Sequence, residues 1–495
     1  MPEFTPDQKK VIEAQNRDVL VSAAAGSGKT TVLVERILRM ITDPKAKTDI
    51  DHILVVTFTR AAAKDMREKI RRAIEELSEK HPDDPHLQRQ CAYIFHSQIT
   101  TIDSFCNYLV KNYFYSVGIE PDFRILEQGE KTLLEEDLMN SFMEEKYEEE
   151  DPQFLDLVLA YSKGIHDTAV CDMIFALKNE AVNNPWPMQW LDSVLKPYEA
   201  DTAEDLKKSS WMQDLVDSFR EEFLGYQKSF LLLQKEYDES SGTPTYAKAF
   251  HEDERIFAAL DSSCDYETLT EAFASLQFPS VGNGRGKADD ALFREKYQNL
   301  RKEYKDFLNE KKDLFKESIN EVLFSMRRLR LFVQKLVELT KEYLIKREDI
   351  LKKKNAYDFN DIEHFALQIL LDEETHQPTE VALELRSYFD EVMVDEYQDS
   401  NYLQETILKA ITKGDSGEHN YFMVGDIKQS IYRFRQARPE IFAEKYATFK
   451  EDGDTQQRIE LNQNFRSRQE ILDATNMVFN ELMHPSVGGV AYTED

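Results

Sequence analysis

At 495 residues and 41% hydrophobic content, the chain is longer than one hydrophobic core ordinarily serves, which points to a globular protein of several domains. Its formal net charge of -31 excludes a generally basic nucleic-acid-binding surface, so any contact with a polyanion must come from a local cationic groove. The N-terminal MPEFTPDQKK has no apolar signal core, no run of about 18 apolar residues is present to span a bilayer, and Cys91, Cys106, Cys171 and Cys264 lack CxxC spacing, so the simplest reading is a cytosolic protein with reduced thiols and neither a membrane partner nor a cysteine metal site.

FTPDQKKVIEAQ places Gln8 ahead of the first strand, where an amide offers a paired donor and acceptor to an adenine edge. Asp18 to Ser22, DVLVS, reads as a short buried strand, and the helical period of TVLVERILRMI follows the loop after it. That loop, Ala23, Ala24, Ala25, Gly26, Ser27, Gly28, Lys29, Thr30 and Thr31, fits the phosphate-binding pattern G-x-x-x-x-G-K-[ST] except that Ala23 stands at the first glycine. Backbone N–H groups, a lysine for the β/γ-phosphates and a hydroxyl for Mg²⁺ are the parts such a loop supplies; a plain glycine-rich turn is the competing reading. HILVVTF, ending at Phe58, and the amphipathic AAAKDMREKIRRAIEEL repeat the strand-then-helix plan.

From about Glu120 to Asn355 the chain is rich in Glu and Lys, with helical periodicity and no strand signal; GTPTY and SVGNGRGKADD are its loop candidates. Strand signals return in EVMVDE and YFMVGD, each ending in acids. A parallel strand would present Asp395 and Glu396 at its carboxyl end, where doubly wound sheets build their sites. After YFMVGD, Lys428, Arg433, Arg435 and Arg438 make a local cationic patch interleaved with Tyr432 and Phe434. Cations tracking phosphates with aromatic faces stacking bases suit single-stranded nucleic acid; an aromatic pair in the core with arginines outside is the alternative. RIELNQN and SRQEILDATNMVFNELM then read as a strand and helix of another unit, with Arg466 at their turn. An arginine there is either a finger for a neighbouring phosphoryl site or an ordinary surface residue.

Strands separated by helices imply a parallel sheet covered on both faces. The expected organisation is an α/β domain made of residues 1–120 and 356–457, interrupted by an all-helical insertion over 121–355, with 458–495 beginning a second domain.

In this order, FTPDQ, SAAAGSGKTT, VTFTRAAAKDM, TIDSFC, VMVDEYQDS, VGDIKQSIYRFR and LNQNFRS resemble the motifs of UvrD-like superfamily 1 DNA helicases, a family whose P-loop commonly carries alanine at the first position. The resemblance implies RecA-like P-loop domains, a 1B-like helical insertion, and ATP with Mg²⁺ as cofactors. It places Lys29 on the phosphates, Thr30 and Asp395 on the metal, Glu396 and Gln429 in hydrolysis, and Arg466 as a finger from the second domain. Phe58, Thr59, Tyr432, Phe434 and Arg435 would contact DNA.

Within the family, TIDSFC, the long insertion and SIYRFRQARPEIFAEKY look most like the helicase-bearing subunits of helicase/nucleases. Such a polypeptide translocates 3′ to 5′ and pairs with a B subunit to process DNA ends at double-strand breaks for recombination, at the nucleoid. By this likeness the chain is an N-terminal portion, with the later helicase motifs and the nuclease domain beyond Asp495. A stand-alone repair helicase, or a noncatalytic ATP-gated DNA-binding module, are the other readings.

Overall fold

The computed structural model describes residues 4–43, 47–162, 167–239, 244–261, 265–278, 290–414, 417–483 and 492. Eight strands occur among them: β1 (Asp18–Ala23), β2 (Ile53–Thr57), β3 (Ile99–Thr101), β4 (Arg124–Ile125), β5 (Ala356–Tyr357), β6 (Glu391–Asp395), β7 (Tyr421–Gly425) and β8 (Gln456–Leu461). Six form one parallel sheet in the order β3-β2-β6-β7-β1-β8, and β4 pairs with β5 in a separate two-stranded ladder.

Alternation along each strand sends neighbouring side chains to opposite faces, so the sheet serves two cores. Val19, Val21, Val55, Met393, Phe422 and Val424 face one of them. There they meet the apolar sides of α1 (Pro6–Glu13), α2 (Lys29–Thr42) and α3 (Arg60–Lys80). Leu20, Leu54, Val56, Val392, Val394 and Met423 face the other, against α4 (Ile102–Tyr113) and the helix Phe359–Leu370. Buried on both faces, these strands are continuous apolar runs, which is why the sequence displays them so plainly.

Local chemistry sets the helix starts. Thr5 and Gln8 form a capping box at α1 with Pro6 at its first position, and Thr59 and Thr101 cap α3 and α4. Arg36 ties this face together: its guanidinium donates to Glu391 at 2.6 Å and to the carbonyls of Val11 and Ala14, all buried.

The described chain divides into two compact units, residues 1–149, 171–190 and 339–495, and residues 150–170 and 191–338. The insertion is therefore smaller as a folding unit than the expected 121–355. Its flanks join the α/β unit because Arg347 is buried there against Glu135, Asp358 and Asp361, at 3.2, 2.8 and 2.7 Å. Strand β4, in a stretch expected to be free of strands, closes the base of the insertion by pairing Arg124 with Ala356.

The second unit is helical among its described residues, with an aromatic core that includes Phe219, Phe223, Phe257, Phe273 and Phe307. Buried Asp253 is held by the hydroxyls of Tyr297 and Tyr304, each at 2.5 Å, and by Arg301 at 2.9 Å. Of the loop candidates, Gly242 and Thr243 of GTPTY and residues 280–289 lie outside the described residues, and Pro244 opens the helix Pro244–Asp261. Cys91, Cys106 and Cys171 remain thiols, and Cys264 lies outside the described residues. Among the described residues no helix is long and apolar enough to cross a membrane.

One boundary needs correction. The strand expected to open a second domain at residue 458 is β8, which pairs in parallel with β1 along all six residues, from Asp18 with Gln456 to Ala23 with Leu461. A strand-turn-helix pattern is local, whereas strand partnership over more than 430 residues of sequence is not, so the sequence signal could not say which sheet β8 joins.

Candidate nucleotide and nucleic-acid site

Register brings the predicted residues to one edge. Ser22 is opposite Gly425 and Asp395 opposite Val424, so the carboxyl ends of β1, β6 and β7 lie side by side.

The alanine at the first P-loop position has a structural reason. Ala23 is the fully buried last residue of β1, in extended pairing with Leu461, so it needs no glycine conformation. The left-handed turns fall at Gly26 and Gly28, with φ of 76° and 85°. Gly28 precedes α2 without any side-chain cap, leaving the first N–H groups of that helix directed at the loop, the arrangement that receives phosphate. Ala24 and Ala25 continue from the strand, and Ser27 is buried with its hydroxyl unpartnered among the described residues. Thr30 is half-buried in the first turn and Thr31 is exposed.

The loop is braced from two sides. Gln8 Nε2 donates to the Ser27 carbonyl at 3.1 Å while its Oε1 accepts from Thr5 N at 3.0 Å. The amide expected to face a base is therefore engaged with the loop, with one hydrogen and one lone pair left over. From the other side Asn464 Nδ2 donates to the Ala25 carbonyl at 2.7 Å, and Phe465 N donates to the Gly26 carbonyl at 2.9 Å. A Cβ on Gly26 would lie 2.7 Å from the Asn464 side chain. Arg466 follows, exposed, its backbone N–H on Asn464 Oδ1. It lies in the loop that leaves β8, the edge strand of the same sheet.

Lys29 Nζ lies 3.3 Å from Glu396 Oε2. Glu396 itself has left-handed backbone geometry, φ 53° and ψ 45°, at the turn leaving β6, and its N–H bonds Asp395 Oδ1 at 3.1 Å. Burial and the adjacent Glu396 charge push Asp395 up to about 6, against the opposing pull of Lys29. Asp399 is likewise pushed up to about 6 by burial and Glu396. Asp395, Glu396 and Asp399 outnumber the lysines Lys29 and Lys69 acting on them and offer hard oxygen donors, the chemistry a magnesium ion takes, although no group of three acidic, histidine or cysteine side chains among the described residues is gathered closely enough to form a ready-made metal site.

Beyond β7, Gln429 Nε2 donates to Asp426 Oδ2 at 2.8 Å, and the loop then delivers the aromatic patch. Phe58 and Tyr432 pack with ring centroids 4.5 Å apart, and Tyr432 and Phe434 5.8 Å apart. Arg435 is 5.3 to 5.9 Å from all three rings. Phe434 is 76% exposed, so this ring is not core, whereas Tyr432 is partly buried. Thr59, exposed, caps α3 beside Phe58.

Gln398, Gly425, Asn464 and Phe465 do not stand out in the sequence. All four lie inside recognisable motifs, but their contacts are long-range. Phe465 is 60% exposed beside the P-loop, a ring open to stacking.

Residues 4–450 match the UvrD/REP helicase N-terminal domain. The chain is 40% identical to the A subunit of the ATP-dependent helicase/nuclease of Lachnoclostridium phytofermentans, over 99% of this chain and 36% of that protein. The same subunits from Clostridium beijerinckii and Clostridium perfringens are 37% and 38% identical, again over 99% of this chain, and over 40% and 39% of theirs. The chain thus spans about two-fifths of the length of these curated relatives.

Proposed function

The chain belongs to the UvrD/REP helicase family, and from that premise we propose that it hydrolyses ATP to move 3′ to 5′ along single-stranded DNA. The observation that carries this reading is the segment Asp426 to Arg435. Its first half holds Gln429 on Asp426 at the sheet edge shared with Lys29 and Glu396, and its second half forms the exposed aromatic patch. A nucleotide site and a base-stacking surface joined by one short loop is what coupling hydrolysis to movement requires.

In this reading the N–H groups at the start of α2 and Lys29 hold the phosphates. Magnesium bound at Thr30 and Asp395 would offset charge on the β- and γ-phosphate oxygens. Glu396 takes a proton from water as the water oxygen bonds to the γ-phosphorus and the bond to the ADP oxygen breaks. The amide of Gln8 and the ring of Phe465 border the place of the base, and Arg466 is the candidate finger. By likeness to the A subunits of helicase/nucleases, the substrates are DNA ends at double-strand breaks in the cytoplasm, the partner is a B subunit, and nuclease activity belongs to the larger assembly.

The test is ATP turnover with and without single-stranded DNA. In the full-length protein, which would carry the later helicase motifs, DNA should raise turnover, whereas Glu396→Gln should still bind ATP and turn over at least about a hundredfold more slowly. Near-normal turnover in that variant would remove Glu396 from the mechanism. With its B subunit, the full-length protein should displace a strand from 3′-tailed but not 5′-tailed duplex.

A further inference from the structure

The Glu396 carboxylate leaves the end of β6 from a left-handed turn, and two donors reach it: Lys29 Nζ at 3.3 Å and Gln398 Nε2 at 2.9 Å, both on Oε2. On the functional reading above, Lys29 turns to the phosphates once nucleotide is bound. Among the described residues Gln398 is then the remaining donor to the carboxylate, and it leaves Oε1 for the water proton.

The Gln398 amide cannot be turned around. It is 1% exposed, and its Oε1 accepts from the buried Asp426 N–H at 3.0 Å. Since a backbone N–H must meet the amide oxygen, the NH₂ end must face the acids, where its second contact is Asp399 Oδ2 at 3.3 Å. The space for this side chain depends on Gly425: a Cβ there would sit 2.3 Å from Gln398 Oε1 and 3.2 Å from the Tyr397 backbone nitrogen. A neutral donor between two carboxylates, anchored to the end of β7, is built to orient one of them. We propose that Gln398 is the positioning residue for Glu396, acting through the hydrogen bond its amide donates and tied by its carbonyl to the loop that carries Gln429 and the aromatic patch.

Two substitutions separate the two ends of the amide. Gln398→Ala removes both, whereas Gln398→Glu keeps an acceptor for the Asp426 N–H and replaces the donor by a carboxylate that repels Glu396. DNA-stimulated kcat should fall about tenfold to a hundredfold in both, the scale of a misplaced catalytic group. KM for ATP, and binding of a fluorescent ATP analogue, should change less than about threefold because phosphate contacts remain. In a Glu396→Gln background, single-turnover measurement should show no further loss from Gln398→Ala, because the two act as a unit.

Wild-type kcat in Gln398→Glu would mean that the amide only supports Asp426 and would overturn the proposal, as would losses that multiply on top of Glu396→Gln. If Gln398→Ala melts well below the wild type, the near-isosteric Gln398→Glu and the double variant decide the outcome. A full-length wild type with no DNA-stimulated turnover would overturn the functional reading, and this proposal with it.

Discussion

Replacing Phe434 by alanine isolates the base-stacking surface, because the ring is 76% exposed and its neighbours are Tyr432, 5.8 Å away between centroids, and the Arg435 guanidinium, 5.8 Å from the ring centroid. Little apolar surface is buried there, so stability should change by no more than about 0.5 kcal/mol. Stacking of one base is worth about 1–3 kcal/mol by alanine substitution, which corresponds to a Kd for single-stranded DNA raised roughly 5- to 150-fold. Fluorescence anisotropy with a labelled oligothymidylate at fixed ionic strength measures it. Since phenylalanine carries no charge, the slope of log affinity against log salt should stay as in the wild type, whereas Arg435→Ala should flatten it by about 0.7. ATP affinity without DNA should not move. Unchanged DNA affinity in a variant that melts like the wild type would show that this ring does not stack on bases, however well it is placed.

Two further outcomes concern stability. Glu363 is buried with Gln404 Nε2 donating to it at 2.8 Å, and burial together with the Asp103 charge pushes it up to about 8. The folded protein therefore keeps a proton that the unfolded chain releases near pH 4.5, so this group's contribution is lost as pH rises from about 4.5 to 8, by at most ~5 kcal/mol. Glu363→Gln should match the wild type near pH 5 and melt higher than it at pH 8; parallel melting curves across that range would refute the assignment. Arg36→Met should destabilise by about 3–5 kcal/mol, because it leaves the buried Glu391 carboxyl without its cationic partner. Adding Glu391→Leu should restore part of the loss in denaturant unfolding, the remainder being the carbonyls of Val11 and Ala14 that Arg36 no longer reaches.

The sequence makes legible what repeats locally. Strands β1, β2, β6 and β7 are five or six residues long and each holds an apolar run of at least three, and the P-loop and Asp395–Glu396 lie at the ends of two of them. Strand β3 escapes such a reading because Ile99–Thr101 is too short to show a period. Strand β8 is recognisable as a strand but not assignable to its sheet, since its partner β1 lies at the far end of the chain. Phe434 could not be told from core by its spacing; exposure decided it. Gln398 and Gly425 are 27 positions apart (425 − 398) and meet only in the folded sheet, so no pattern within either motif declares that one makes room for the other.

The strand order also sets a timetable for the growing chain. In the α/β unit, β1 is flanked by β7 and β8, so Val19 waits for Phe422, 403 positions later (422 − 19). At roughly 5–20 residues per second of synthesis, that wait is about 20–80 s. Throughout it the Val-Leu-Val of β1, which ends with no solvent exposure, has no native neighbour on either side. The helical unit of residues 150–170 and 191–338 draws its core from its own span and can close well before. A nascent chain of this protein would therefore carry a folded helical bundle and an unpaired apolar strand together, and that strand is where chaperone holding would matter during synthesis.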